Sequence, residues 1–369
     1  VKPWLNFICR DEAARVGRML ESVCEKVAGV VAVDTGSEDG TAGLVVAWCA
    51  DNGLPYSVST RVFADRGQPF PFADARNYAL MRAREKNPER ILFLDCDEEL
   101  VGDIPGDTGD FGVCHHVTKD TGSRGTDLLV MRGDLPGHFT PVTHEAFLPS
   151  VEHRQVFISG AHILSHADSA RRASGLKNAH DAVMLEKWMQ EHPRDSRAAY
   201  YLAQTYYALE RWEDALATYE LRLALGGHPE ESWMALYSRA VCLERLGKPR
   251  PLVVDAYLSV WSANPERNEP LCALWSYLFG TGGENCPDMA FLELLTQGMR
   301  RSEPVEGMYV DPSAYTWRPE FMRGVVRVAR GEWALAQAAL TRALECELPA
   351  EELRVAEGCI RVCKERLGI

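Results

Sequence analysis

Long hydrophobic runs are missing from this sequence: no stretch approaches the roughly 18 consecutive apolar residues that cross a bilayer as a helix. The opening Val1-Lys2-Pro3-Trp4-Leu5-Asn6-Phe7-Ile8 lacks the apolar core of a secretory signal, so a cytoplasmic protein with no membrane partner is expected. Paired cysteines are also missing. The eleven cysteines include no CxxC pair and no zinc or disulfide-framework spacing, so most are expected to be reduced and buried. Positive charge is scarce, with 40 Lys+Arg against 53 Asp+Glu and a net charge of −13 shared by both halves. That balance argues against indiscriminate nucleic-acid binding. What remains is ordinary globular composition, 46% hydrophobic and 25% charged over 369 residues, a length better served by two domains than one. Seven of the ten histidines precede residue 176, which points metal or acid/base chemistry to the first half.

The first hundred residues alternate short apolar runs with amphipathic stretches. Trp4 to Cys9, Val30 to Val33, Tyr56 to Val62 and Ile91 to Leu94 read as strands, while Glu12 to Val27, Glu38 to Ala50 and Phe72 to Arg84 read as helices. This alternation predicts β-α-β units, a mostly parallel sheet and a ligand site at the carboxyl ends of its strands. Near Arg171 to Lys177 the pattern changes to long helical periods rich in Ala, Leu, Trp and Tyr, dividing the chain into domains 1–175 and 176–369. Ala199, Leu202, Ala203 and Tyr206, then Ala215 and Tyr219, alternate small and aromatic residues as a tetratricopeptide repeat does. Arg211-Trp212-Glu213-Asp214-Ala215 returns in similar form at Gly331-Glu332-Trp333-Ala334-Leu335-Ala336. With Trp233 to Leu246 and Leu271 to Phe279 between them, three or four stacked helical hairpins are expected.

Two loops and one helix carry candidate chemistry. The strand Ile91 to Leu94 runs into Asp95-Cys96-Asp97-Glu98-Glu99, where four carboxylates suit Mg²⁺ or Mn²⁺ bridging phosphate oxygens, or else form a solvated acidic turn. Asp34-Thr35-Gly36-Ser37-Glu38-Asp39-Gly40-Thr41 joins a strand to a helix whose N–H groups suit an anion, and equally reads as a plain cap with Ser37 or Asp39. In Phe72-Ala73-Asp74-Ala75-Arg76-Asn77, Arg76 either reaches a phosphate or pairs on the surface with Asp74 or Glu85.

Taken in order, Arg10-Asp11-Glu12, Val33-Asp34-Thr35-Gly36-Ser37, Ala75-Arg76-Asn77 and Leu94-Asp95-Cys96-Asp97-Glu98 resemble family 2 glycosyltransferases. The subgroup most similar joins the transferase to tetratricopeptide repeats and includes enzymes that glycosylate bacteriocin peptides. The resemblance implies an α/β GT-A fold, Rossmann-like with a mostly parallel sheet, followed by an all-α tetratricopeptide-repeat-like domain. It further implies a metal-dependent inverting transfer from a UDP-sugar to an acceptor hydroxyl or thiol, on a peptide or protein, with Mn²⁺ or Mg²⁺ as cofactor. Ile8, Asp34, Thr35, Arg76, Asp95 and Lys177 would then line the donor site, with Asp97 and His166 on the metal. Relatives commonly carry Lys-Asn-Glu and Asp-Ala-Asp where this chain has Arg10-Asp11-Glu12 and Asp95-Cys96-Asp97, and neither change removes a needed group.

Pro141-Val142-Thr143-His144-Glu145 resembles a His-Glu pair on the acceptor side, making Glu145 the candidate base. Its structural alternative is an ion pair with Arg132 or Arg154. Ile163-Leu164-Ser165-His166-Ala167-Asp168 resembles the strand-then-histidine end of the catalytic domain, with His162 a weaker ligand than His166. Two other functions compete. In one the acceptor is a hydroxymethylated base in phage DNA, and Arg323, Arg327 and Arg330 on one helix face meet its phosphates. In the other the chain is a non-catalytic repeat scaffold. For the transferase acting on a peptide or protein, a homodimer through the repeats is expected.

Overall fold

The computed structural model describes residues 1–65, 68–120, 122, 124–140, 145–168, 177–282, 289–304 and 307–369. Arg171 to Gly175, where the sequence changes character, and Pro141 to His144 lie outside them. The chain forms two compact units, Val1–Leu225 and Gly226–Ile369.

The first unit is built on an eight-stranded sheet. In chain order its strands are β1 (Trp4–Cys9), β2 (Gly29–Asp34), β3 (Tyr56–Thr60), β4 (Arg90–Phe93), β5 (Glu98–Gly102), β6 (Phe111–Thr118), β7 (Arg124–Arg132) and β10 (Gln155–Ser165). Spatially they run β3-β2-β1-β4-β7-β6-β10-β5, while β8 (Gly137–Thr140) and β9 (Ala146–Pro149) form a separate hairpin. The first four strands are joined by α1 (Val16–Val23), α2 (Thr41–Asp51) and α3 (Phe72–Arg84), and they pair in parallel as expected.

Beyond β4 the expectation of a mostly parallel sheet fails, because β7 pairs antiparallel with both β4 and β6, and β5 pairs antiparallel with β10. The sheet is mixed. Of these pairs only β6 and β7 are consecutive strands whose direct link favours antiparallel pairing; β4–β7 and β5–β10 join strands distant in the chain, and β10 runs parallel to β6.

Each face of the sheet buries an apolar layer. Leu5, Phe7, Val30 and Ala32 pack with Met19, Leu20 and Val23 of α1 and with Val45 of α2. On the other face Val31, Ile91 and Phe93 pack with Leu80 and Ala83 of α3 and with Phe139 and Phe147 of the β8–β9 hairpin. The buried Asn6 on β1 donates to the Ala79 carbonyl at 3.0 Å, satisfying its amide while anchoring α3 to the sheet.

Among the described residues three helices complete this unit: α4 (Lys177–Glu191), α5 (Ser196–Ala208) and α6 (Trp212–Leu225), each packed on the next. Asp195 caps α5 by accepting from the Ala198 amide at 3.0 Å. The second unit is helical. It contains α7 (Pro229–Arg245), α8 (Arg250–Ala263), α9 (Glu269–Gly282), α10 (Met289–Gly298), α11 (Arg318–Ala329), α12 (Trp333–Ala343) and α13 (Ala350–Leu367), consecutive helices packing together. The recurring phrase acquires a physical meaning here: Ala215 and Ala336, each three residues after a tryptophan, are fully buried where helices approach. The cysteines of the described residues are free thiols, and most are buried. No helix among these residues is long and apolar enough to cross a membrane.

Candidate functional site

Strands β1, β2, β3, β4, β6 and β10 share one direction, so their carboxyl ends lie along one edge of the sheet. The polar loops gather there. The β1 and β2 loops are laced together: the Glu38 amide donates to Asp11 at 2.8 Å, the Ala13 amide to Asp39 at 2.9 Å and the Glu12 amide to Thr41 Oγ1 at 2.9 Å. Asp11 takes a left-handed backbone with φ of 56°, a conformation Asp tolerates better than most residues, which aims its carboxylate at the second loop.

Asp34 closes β2 and is 4% exposed. Its Oδ1 accepts from the Ser37 hydroxyl at 2.6 Å and the Ser37 amide at 2.9 Å, while Oδ2 accepts nothing among the described residues. One oxygen thus holds the turn. Thr35 is spent on structure, its hydroxyl donating to the Cys9 carbonyl at 3.1 Å. Ile8 contributes its carbonyl to the Cys96 thiol at 3.7 Å, a tie between β1 and the acidic turn.

Arg76 is the centre of the arrangement. Its Nη2 donates to both oxygens of Asp95, at 2.8 and 3.0 Å, and its Nε donates to Glu145. Burial alone would lower the pKa of the guanidinium, but the adjacent charges of Asp95 and Glu145 outweigh it and push the pKa well above its ordinary value. The expected alternatives are replaced: Glu85 pairs with Arg82 instead of Arg76, Arg132 with Asp110 and Asp134, and Arg154 with Asp107. Asn77 next to Arg76 brings the hairpin in, since its amide donates to the Phe139 carbonyl at 3.0 Å and accepts from the Phe139 amide at 2.7 Å.

The four carboxylates of the acidic turn divide by role. Asp95 and Asp97 remain half-exposed, whereas Glu98 meets His116 at 3.0 Å and Glu99 pairs with His166. Burial alone would lower the His116 imidazole, but the hydrogen bond and charge of Glu98 outweigh it and hold the pKa above its ordinary value. His166 therefore comes beside Asp97, its amide donating to the Asp97 carbonyl at 3.0 Å, but its ring is directed to Glu99. Glu99 also lies 3.5 Å from Arg18. No group of three or more His, Cys, Asp or Glu among the described residues is arranged to hold a metal ion by itself. A hard divalent cation that draws most of its oxygens from a diphosphate and water needs only one or two carboxylates. Of the four in this turn, Glu98 and Glu99 are engaged by histidines, Asp95 is shared with Arg76, and the fourth is Asp97. Lys177 opens α4, after a stretch outside the described residues, and His162 sits within β10 opposite His115 of β6.

Sequence reasoning missed His116 and Asn77 as parts of this edge. His116 sits near the end of a strand that the sequence reading left unassigned. Asn77 was visible inside Ala75-Arg76-Asn77 but carried no role until Phe139 was placed against it.

No protein-family model matches the chain, and no curated protein matches it. Solved structures do. The chain is similar to a tetratricopeptide repeat protein from Parabacteroides merdae, at 15% identity and a TM-score of 0.38 over 54% of this chain and 70% of that one. It is similar to YrrB, described as a TPR protein with an unusual peptide-binding site, at 15% identity and a TM-score of 0.36 over 50% and 86%. A thermophilic TPR protein from Thermus thermophilus matches at 17% identity and a TM-score of 0.32 over 52% and 94%. These likenesses are to repeat proteins and take in about half the chain. The expected GT-A assignment does not stand: no family model matches the chain, and the sheet expected to be mostly parallel is mixed.

Proposed function

We propose that the carboxyl edge of the sheet binds a nucleoside diphosphate sugar of the UDP class and transfers its glycosyl group to a hydroxyl or thiol of a peptide or protein. One observation supports this above the others: a mostly buried, permanently charged Arg76 held between Asp95 and Glu145 where parallel strands end. Strand ends of this kind are the usual ligand crevice of parallel α/β sheets. Asp34 Oδ2 suits a donor group on the base or ribose, and Arg76 suits the diphosphate, whose charge grows as it departs. Mn²⁺ or Mg²⁺ bound at Asp95 and Asp97 would add to that neutralisation. Glu145, the carboxylate beside Arg76, is the base in this reading and takes the acceptor proton, and attack opposite the leaving group inverts the anomeric carbon.

The test is incubation with a panel of nucleotide sugars, with and without Mn²⁺, followed by mass spectrometry of peptide and hydroxymethylated-DNA acceptors. Metal-dependent mass gain on a peptide supports the reading. Absence of both donor turnover and nucleotide binding defeats it.

A second reading, a repeat scaffold that binds peptide or protein without catalysis, draws on the consecutive packing of α7 to α13. Peptide capture with an inert sheet edge would favour it. The DNA-acceptor reading loses its main feature. Arg323 pairs with Glu320 at 2.5 Å, Arg330 with Glu332 at 2.9 Å and Glu293 at 3.2 Å, and Arg327 lies 3.8 Å from Glu293, so the stripe is neutralised within the protein.

A further inference from the structure

The turn that carries Asp95 and Asp97 links β4 to β5, which sit at different places in the sheet with β7, β6 and β10 between them. Beyond the His166 amide on the Asp97 carbonyl at 3.0 Å and the Cys96 thiol on the Ile8 carbonyl at 3.7 Å, the Asp95 end of this link needs a hold of its own if its carboxylates are to keep one geometry. Glu98 supplies that hold. Its side chain is 12% exposed, and its two oxygens face different ways: Oε2 accepts from the Asp95 amide at 2.8 Å, and Oε1 meets His116 Nε2 at 3.0 Å. The Glu98 amide in turn donates to the Asp95 carbonyl at 3.0 Å, so the turn is closed by backbone and side chain together. His116 stands on β6 in register with Ile163 of β10 and Gly125 of β7, a position fixed by the sheet.

We propose that Glu98 and His116 are positioning residues for the Asp95-Cys96-Asp97 turn, orienting the two aspartates toward a cation-bound nucleoside diphosphate without touching either ligand. This rests on the donor-binding reading above. The chain His116 to Glu98 to the Asp95 amide ties the turn to the middle of the sheet, so the aspartates need not be ordered when the ligand arrives. Partners one layer behind a metal site typically change its affinity by about 10- to 100-fold when removed. A carboxylate whose only duty was to satisfy buried neighbours would affect folding stability and leave the metal dependence of nucleotide binding alone.

The experiment uses the full chain and UDP as probe, titrated calorimetrically with and without Mn²⁺, beside amide hydrogen exchange at Asp95. Glu98→Ala and His116→Phe should each reduce the Mn²⁺-dependent gain in UDP affinity by about 10- to 100-fold. UDP affinity without metal should stay at the wild-type value, and exchange at the Asp95 amide should quicken in both. Glu98→Gln and His116→Gln, which keep a polar link, should restore part of the gain; this rescue also covers the case in which Glu98→Ala fails to fold. A wild-type Mn²⁺ gain in His116→Phe with unaltered Asp95 exchange overturns the inference and leaves the donor reading intact. Equal loss of UDP affinity with and without metal would place His116 on the nucleotide and also overturn it. A wild-type chain that binds no UDP under either condition overturns both.

Discussion

Arg76 and Asp95 form a two-point contact in which one guanidinium nitrogen donates to both carboxylate oxygens, at 2.8 and 3.0 Å, while the Nε of the same group holds Glu145. The side chain is 17% exposed and Asp95 42% exposed, so the pair is buried on the arginine side and open on the aspartate side. An approaching anion meets a cation whose position is already set. Removing Arg76 leaves two carboxylates facing each other. Arg76→Ala is therefore expected to abolish UDP binding and lower the melting temperature. Arg76→Lys keeps the charge but loses the fork, and is expected to weaken binding by about tenfold or more. Calorimetric titration and thermal melts check both; unchanged binding in Arg76→Ala would remove the residue from the donor site.

Glu145 offers a cleaner separation of roles. As base it matters to transfer and little to donor binding, so Glu145→Gln is expected to lower acceptor glycosylation by about 10²- to 10⁴-fold with UDP affinity retained. Rate measurements on a peptide acceptor decide the matter, and full turnover in the variant would assign the proton to another group.

Asn77 makes both amide hydrogen bonds to Phe139 and so ties the β8–β9 hairpin to α3. Asn77→Leu should leave the Phe139 backbone groups unpaired at a cost of about 1–3 kcal/mol. Denaturant unfolding reads the loss. Exchange of hairpin amides should rise at Phe139 before it rises in α3.

In the helical unit Glu320 is 14% exposed and gathers Arg323 at 2.5 Å and Arg342 at 2.7 Å. Burial opposes its charged form, but the two arginines outweigh that and hold its pKa below the ordinary value of 4.5. A carboxyl depressed by folding contributes stability above its unfolded pKa and loses it as pH falls. Melting temperature is therefore expected to drop on acidification below about pH 4.5 in the wild type, with a shallower drop in Glu320→Gln. Parallel acid titrations of the two proteins test the sign.

The early elements were legible because apolar runs broken by polar turns alternate with amphipathic stretches: strand β1 spans Trp4–Cys9 and helix α3 spans Phe72–Arg84, as the pattern indicated. Helix α1 is shorter than the expected Glu12 to Val27, covering Val16–Val23, because the segment from Asp11 is drawn into hydrogen bonds with the β2 loop. The strands after β4 were harder to read, since hairpins leave no helical period between them.

Composition and motif order determined that a sheet-bearing half precedes a helical half, and that Asp34, Arg76, Asp95 and Asp97 each stand beside the end of a strand or on the helix behind it. These are local matters, set by hydrophobic period and by the residues that end it. Partnership was decided by tertiary structure alone. Arg76 found Asp95 19 residues away and Glu145 69 residues away, and His116 found Glu98 18 residues away. Such pairs arise only when strand order and direction bring distant loops to one edge, and the cost of burying a charge then selects the nearest opposite one.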